Sequence, residues 1–536
     1  MKLSRGLRRS PVRNSGDFIT VCTRQMGQLN EKRGVFSMFA PNSIPSLIFK
    51  ALIGEIKMSD KDLCWPVREM ARARVTHGKE RISLQKALGM LVENSGLSYS
   101  AALGNATRQA VRRIFSKEEI TSEDIIAGHI AATVERIKEA KPGLLLLPSD
   151  TTEFDFTHHP STRDLGPLHK KTLGFLSHEA IALSDTGMLY GVLHLDMWKR
   201  TEIGTRDKRR TRPYTEKESF KWARVLASIE ERLPKEQEAL LIQDREADIF
   251  AFVAQPRRNN IHLLIRASEP RRVEVELNES EAKPDAPAVE PDALAVELDA
   301  QSGTVQLLFD AIAQVAPSAT YTFAVPRRPD QDPREAAMQL RFCPMTLLAP
   351  LNRHKDDPSE PQPVWVVQVR EPHPPEGVSP VQWTLISTMP VTTVEQARAM
   401  VVRYSQRWLI ERLHYTLKSG CNVERLQLED FDSLTKAIAL YFIVAWRLLH
   451  LTYMARVEPT TPASQVLSQD EITVLTKVSG HPVDTVSKAV LQIAKLGGYT
   501  YYKRAKPPGV KVLWLGWRKL DVMVLGYKLA MPNIRH

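Results

Sequence analysis

Cysteine is scarce in this chain: four residues in 536, Cys22, Cys64, Cys343 and Cys421, with no two of them near each other. There is no CxxC pair and no Cys/His cluster, so neither a zinc module nor a disulfide framework organises the fold. Long apolar runs are also lacking. The most apolar one, Ala437 to Trp446, is about ten residues long and lies between Lys436 and Arg447; it is too short to span a bilayer and reads as a buried helix. The opening stretch MKLSRGLRRSPVRNSGDF is basic with no apolar segment of the secretory kind. A cytoplasmic protein with no membrane anchor is therefore expected. An acidic excess is missing too: 73 Lys+Arg stand against 62 Asp+Glu, a formal net charge of +11. That balance favours a polyanionic partner, nucleic acid before an anionic membrane. The 43% hydrophobic and 25% charged residues exclude wholesale disorder, collagen and coiled coil. The length predicts three or so domains.

Residues 1–57 mix basic residues with short apolar patches and read as a basic extension. From 58 to 140 the spacing of apolar residues is helical, with stops near Gly96 and Gly104. Arg108, Arg112 and Arg113 share one of these helices, either as a solvated face or as phosphate contacts of a DNA-binding module. The texture changes after Lys141-Pro142-Gly143. Leu144–Leu147 reads as a buried strand ending in Pro-Ser-Asp150. Strands at about 178–183 and 188–198 are joined through Asp185-Thr-Gly, a hairpin turn. An Arg/Lys-dense loop follows (Arg206, Lys208, Arg209, Arg210, Arg212), then a helix from about 215 to 233, a strand ending at Asp244, and a strand over 261–266. The order is that of a mixed α/β core. Residues 270–380 interrupt it as a β-rich insertion, and 274–299 within them form an acidic, Pro-rich stretch suited to a mobile loop. The core resumes with a strand over 383–387 and one long helix from about Thr393 to Lys418. From 431 to 536 the pattern is helical again.

Three acids stand out. Asp150 and Asp244 end core strands, at the edge of an α/β sheet where ligands bind; Glu411 lies inside the long helix. Three hard oxygen ligands suit Mg²⁺ when water and phosphate complete its shell. Aspartates at strand ends are also ordinary caps and turn formers. At about 100° per residue, Tyr404, Arg407, Glu411 and Lys418 fall within an arc of roughly 60° beside an apolar stripe of Ile410, Leu413 and Leu417. Such a stripe would offer an acid, two cations and a phenol to one ligand. It would equally be an exposed face with an ordinary Arg407–Glu411 pair.

The pattern Tyr404-x2-Arg407-x3-Glu411-x6-Lys418 resembles the Y-R-E-K signature of the insertion-sequence-4 group of bacterial DDE transposases. Asp150-Thr-Thr and Asp244-Arg-Glu-Ala-Asp248 are similar to that group's two aspartate motifs. Glu216-Lys-Glu-Ser-Phe-Lys-Trp222, Leu496-Gly-Gly and Leu513-Trp-Leu-Gly-Trp517 match it as well, in order, over roughly 95–530. The resemblance implies an α/β fold: an RNase H-like (retroviral-integrase-type) catalytic core over 141–430 with the β-rich insertion at 270–380. It also implies a helical end-recognition domain at 58–140 and a helical dimerisation domain at 431–536. Asp150, Asp244 and Glu411 would be the catalytic metal ligands for two Mg²⁺ ions (or Mn²⁺). Tyr404, Arg407, Lys418, Trp383 and Arg266 would contact DNA, Trp383 by stacking on a flipped base; Arg210, with the basic loop around it, is either a solvated loop residue or a contact to the DNA backbone. The partners implied are double-stranded DNA, as inverted-repeat ends and target, and a second copy of the chain, in a bacterial cytoplasm at the nucleoid. The activity implied is cut-and-paste transposition through a DNA hairpin. A catalytically silent DNA-binding regulator and a branched-DNA nuclease with the same core are the competing readings.

Overall fold

The computed structural model describes residues 65–93, 98–169, 171–202, 212–275, 304–325, 332–502 and 507–530. The basic extension 1–57, the acidic stretch beyond residue 275, and Arg206, Lys208, Arg209 and Arg210 lie outside the described residues.

Among the described residues four helices come first: α1 (Trp65–Met70), α2 (Gly78–Glu93), α3 (Tyr99–Phe115) and α4 (Ser122–Ala140). Local chemistry sets their starts. Ser98 caps α3, and Thr121 with Asp124 forms a reciprocal capping box on α4. Gly104, at φ 63°, breaks α3 where the sequence predicts a stop. The sheet follows with β1 (Leu144–Asp155), β2 (Gly166–His169), β3 (Thr172–Ser184), β4 (Leu189–Trp198), then α5 (Lys221–Arg232), β5 (Glu238–Gln243), α6 (Phe250–Val253), β6 (Ile261–Arg266), β7 (Arg272–Val275), β8 (Thr304–Leu307), α7 (Leu308–Gln314), β9 (Ala319–Val325), β10 (Arg334–Leu347), β11 (Gln362–Arg370) and β12 (Gln382–Ser387). The chain ends in helices α8 (Val394–Ser405), α9 (Trp408–Tyr415), α10 (Phe431–Val457), α11 (Gln469–Ser479), α12 (Val486–Leu496) and α13 (Val510–Ala530).

All twelve strands join one mixed sheet in the order β2-β3-β1-β5-β6-β12-β11-β10-β7-β8, with β4 added to β3 and β9 to β10. Only β1–β5 and β5–β6 are parallel pairs. The described strands of the segment predicted as an insertion, β7–β11, continue the core sheet past β6 through β12. One face packs Leu146, Phe154, Leu240 and Leu385 against Leu413 and Phe442 of the later helices. The other packs Leu145, Leu147, Leu241 and Leu263 against Trp222, Val225 and Phe252. The alternation along each strand sends successive side chains to opposite layers.

Helix α10 explains the apolar run. It is 27 residues long and buried nearly all round, as a helix apolar on every face must be. By length and composition it could cross a membrane, yet 94% of its most apolar window is packed inside the protein. The two cations flanking the run are buried with it. Lys436 Nζ donates to the carbonyls of Phe115 (2.8 Å) and Lys117 (2.9 Å), satisfying the open end of α3. Arg447 donates to Val466 O at 2.8 Å, and its guanidinium lies over the rings of Trp65 and Trp517.

The two C-terminal glycine motifs meet each other. A Cβ on Gly516 of α13 would sit 1.6 Å from Ile493 O, and one on Gly497 would sit 1.9 Å from Val512 O, so α12 and α13 touch backbone to backbone. Gly516→Ala is expected to force these helices apart and destabilise the protein by about 1–3 kcal/mol, the usual cost of overpacking. Denaturant unfolding would check it; an unchanged midpoint would show that the contact yields freely.

Candidate active site

Asp150 does not end its strand. β1 runs parallel to β5 over Leu144–Pro148, then continues antiparallel to β3 as far as Asp155, so Asp150 sits mid-strand where the parallel partner has stopped. β5 ends at Gln243, and Asp244 caps the short turn Arg245–Ala247, its Oδ1 accepting Glu246 N–H at 2.9 Å. The capping role weighed from sequence is thus real, and Asp244 stands close enough to Asp150 and Arg407 to feel the charge of both. Asp248 closes the same motif structurally: its carboxylate accepts the N–H groups of Ser268 (2.7 Å) and Glu269 (2.9 Å) and Arg271 Nε (2.9 Å). Lys221 reaches Glu246 at 3.0 Å, and Trp222 packs edge-on against His178, so two of the sequence motifs touch.

The helix predicted over 393–418 is not continuous. The helix starts at Thr393 as expected, where Thr393 and Gln396 form a capping box, but α8 stops at Ser405. Arg407 N–H bonds back to Tyr404 O, and Ile410 N–H to Arg407 O, so the chain tightens to i→i−3 spacing before α9. After Tyr415 it widens into a π turn over Thr416–Gly420. Both irregularities shift the angular spacing, and the single stripe predicted from uniform 100° steps splits. Arg407 and Glu411 stay together. Lys418 instead donates to the Glu153 carbonyl on β1, pairs with Glu424 at 3.6 Å and lies over Phe154. Tyr404 is buried, its ring edge-on to Trp383 at 5.2 Å. Arg266 donates to Gln382 O at 3.3 Å and to the Tyr404 hydroxyl. Arg212, the described end of the basic loop, is exposed.

Arg407 is the hub. Its Nη1 meets Asp150 Oδ2 at 2.9 Å and its Nη2 pairs with Glu411. Burial pushes the Asp244 carboxyl up, and repulsion from Asp150 adds to it, reaching about 6 despite Arg407. Glu411 is raised by burial, with Arg407 opposing and Asp150 reinforcing. Burial alone would lower the Arg407 guanidinium, but the surrounding acids carry it above its ordinary range. The three acids therefore share one electrostatic neighbourhood.

As ligands they form no closed set here: among the described residues no three His, Cys, Asp or Glu are spaced to hold a metal ion. The ion pairs explain the difference from the predicted ligand set, because Arg407 takes one oxygen of Asp150 and one of Glu411. In donor chemistry the site fits a hard divalent cation: three carboxylates whose mutual repulsion a cation would relieve. Sequence reasoning missed Glu179 and His414, which pair with each other beside Asp150. A glutamate directly before the apolar run Ala180–Leu183 of β3, in a strand buried over most of its length, was the available signal. A cleft of about 1430 Å³ is bordered by Glu153, Arg200, Arg212, Trp222 and Glu246, and none of Asp150, Asp244, Arg407 and Glu411 lines it.

A family model described as the transposase DDE domain matches residues 170–447, which is more than half of the chain. The chain belongs to the DDE-domain transposases. Asp244 and Glu411 lie inside the matched span and Asp150 lies 20 residues before it. Among solved structures, the transposase is similar to the piggyBac transposase in a synaptic complex with hairpin DNA, seen by cryo-EM. That match has 10% identity and a TM-score of 0.33, over 88% of this transposase and 79% of the other chain.

Proposed function

We propose that this transposase performs cut-and-paste DNA transposition at inverted-repeat ends, with Asp150, Asp244 and Glu411 as its catalytic acids. The observation that carries the reading is the convergence of these acids, from two neighbouring parallel strands and one short helix, on the single guanidinium of Arg407. The strand order β4-β3-β1-β5-β6, antiparallel then parallel, supports an RNase H-like core. The Y-R-E-K pattern supports the insertion-sequence-4 group, with the transposase of the kanamycin-resistance composite transposon as the relative it resembles. By the same resemblance, helices α1–α4 would read the transposon ends and α11–α13 would take part in a dimer.

Asp150, Asp244 and Glu411 would hold Mg²⁺ or Mn²⁺. Bound there, two such ions would activate water or a 3′-OH and stabilise the leaving oxygen of an in-line displacement. The chain's own side chains do the positioning. Arg407 keeps Asp150 and Glu411 in reach of each other, and its planar fork suits a phosphate oxygen pair. Tyr404 meets the ring of Trp383 edge-on, and Arg266 holds the Gln382 carbonyl next to it at the start of β12, where Trp383 would stack on an unpaired base. Lys418 ties the π turn to β1 just beyond Asp150.

The reading is tested by excision in cells. A marker flanked by the inverted repeats that bracket the gene should be lost when the chain is expressed and retained with Asp150→Asn. Equal excision by both would remove Asp150 from the chemistry. Trp383→Ala should slow hairpin formation by about 5- to 150-fold, the worth of one base stacked on an aromatic ring, with less effect on first-strand nicking. Labelled ends resolved on denaturing gels would separate the two steps.

A further inference from the structure

The short helix carrying Glu411 has little of its own to hold it. α9 has eight residues, with the tight turn at Arg407 before it and the π turn Thr416–Gly420 after it. Helices this short are marginal without tertiary support. Leu409, Ile410 and Leu413 are buried, which presses the helix on the sheet but leaves it free to slide. Arg407 joins it to Asp150 on β1, through a side chain that the proposed function also sends to a phosphate.

A second tie exists. Glu179 on β3 is wholly buried and stands directly opposite Asp150 in the antiparallel register. Opposed residues of such a pair have Cβ atoms about 5 Å apart on one face of the sheet. Ser177 Oγ donates to Glu179 Oε2 at 2.8 Å, and His414 Nε2 meets Oε1. His414 lies three residues beyond Glu411, on the same side of α9. Each carboxylate oxygen of Glu179 thus has a partner, and a buried carboxylate stripped of them would be costly.

We propose that the Glu179–His414 pair is the positioning anchor that sets Glu411 against Asp150. Glu179 and His414 need not touch DNA for this. The pair locks α9 to the strand beside Asp150, so the separation of the two acids is held from both ends of the helix: by Arg407 before Glu411 and by His414 after it.

The inference rests on the proposed chemistry only where cutting is measured; hydrogen exchange reads the anchor independently. In His414→Ala the melting temperature should fall, because Glu179 is left buried without its Oε1 partner, and the amides of residues 408–415 should exchange at least tenfold faster over and above the uniform acceleration that this fall imposes on the rest of the chain. End cutting should fall by about 10- to 100-fold, the usual loss when a group behind a metal ligand is removed. Affinity for uncut ends should change by no more than about threefold, because the anchor acts on the acids and not on the DNA grip. His414→Gln, whose amide nitrogen can occupy the Nε2 position and donate to Glu179, should restore most of both. Exchange over 408–415 accelerated no more than in the rest of the chain in His414→Ala would overturn the anchor. So would cutting and end affinity falling together, which would make the pair a general support. Faster exchange in a chain whose wild type cuts no ends would keep the anchor and refute the proposed function instead.

Discussion

Asp244→Asn is expected to lose end cutting by about 10³-fold or more while the protein folds and binds DNA ends as before. The substitution separates the two roles of this residue. Its Oδ1 accepts Glu246 N–H in the turn after β5, and an asparagine oxygen can do the same, so the cap survives. The negative charge does not survive. Burial and repulsion from Asp150 push this carboxyl up to about 6, so the charge that asparagine removes is one the fold holds at a cost. Asp244→Ala removes cap and charge together and should cost about 0.5–2 kcal/mol of stability besides the activity. If Asp244→Asn cuts at the wild-type rate and Asp244→Ala merely melts earlier, the residue is a turn former and no more.

Glu69→Ala should be among the most destabilising single substitutions in the chain, at about 3–5 kcal/mol. Glu69 is buried in α1 and binds Arg136 through Oε1 (2.7 Å) and His129 Nδ1 through Oε2 (2.5 Å). Arg136 also donates to Tyr190 O at 2.7 Å and lies over Trp446, so the cluster joins α1, α4, β4 and α10. Val192 N–H donates to His129 Nε2 at 3.0 Å, which requires a neutral ring with its proton on Nδ1. Alanine would leave Arg136 buried with no carboxylate. The same cluster gives a pH dependence. Burial raises the Glu69 carboxyl, but Arg136 and His129 outweigh it and bring it down from 4.5 to about 2. A depressed folded value means its contribution is full above about 4.5 and is lost as pH falls toward 2. His129 is lowered chiefly by burial, so acid below its ordinary value near 6.5 also favours the unfolded chain. His129 stays in both proteins and only the Glu69 contribution is removed by Glu69→Ala, so it is between about pH 4.5 and 3 that the wild type should lose stability more steeply than the variant. Parallel melting curves across pH 3–7 for the two proteins would contradict the account.

Local chemistry made much of this fold legible. The helix start at Thr393, the hairpin at Asp185-Thr-Gly and the strand over Ile261–Arg266 lie where the sequence places them, because each is decided by neighbours in the chain. The motif EKESFKW was readable as a pattern, and its physical content is the Lys221–Glu246 pair and the buried Trp222. What did not show was decided by distant contacts. β1 runs on past Asp150 because β3 offers a partner there. The predicted insertion joins the core sheet because β12 pairs with β6, some 120 residues away. The helix through Glu411 breaks at Arg407, whose guanidinium is drawn to Asp150, 257 residues earlier. A uniform helical period cannot register such a break, and so Lys418 was placed on a stripe that it does not share.

The central claim is that Asp150, Asp244 and Glu411 form one metal-dependent DNA-cutting centre. A time course of the purified chain on labelled DNA carrying its own inverted-repeat ends, in Mg²⁺ and in EDTA, tests it most directly. The expected result is nicked, then hairpin, then double-strand-break products in Mg²⁺ alone, with none from Asp150→Ala, Asp244→Ala or Glu411→Ala although each still binds the ends. Wild-type cutting in EDTA, or full cutting by any one of the three variants, would contradict it.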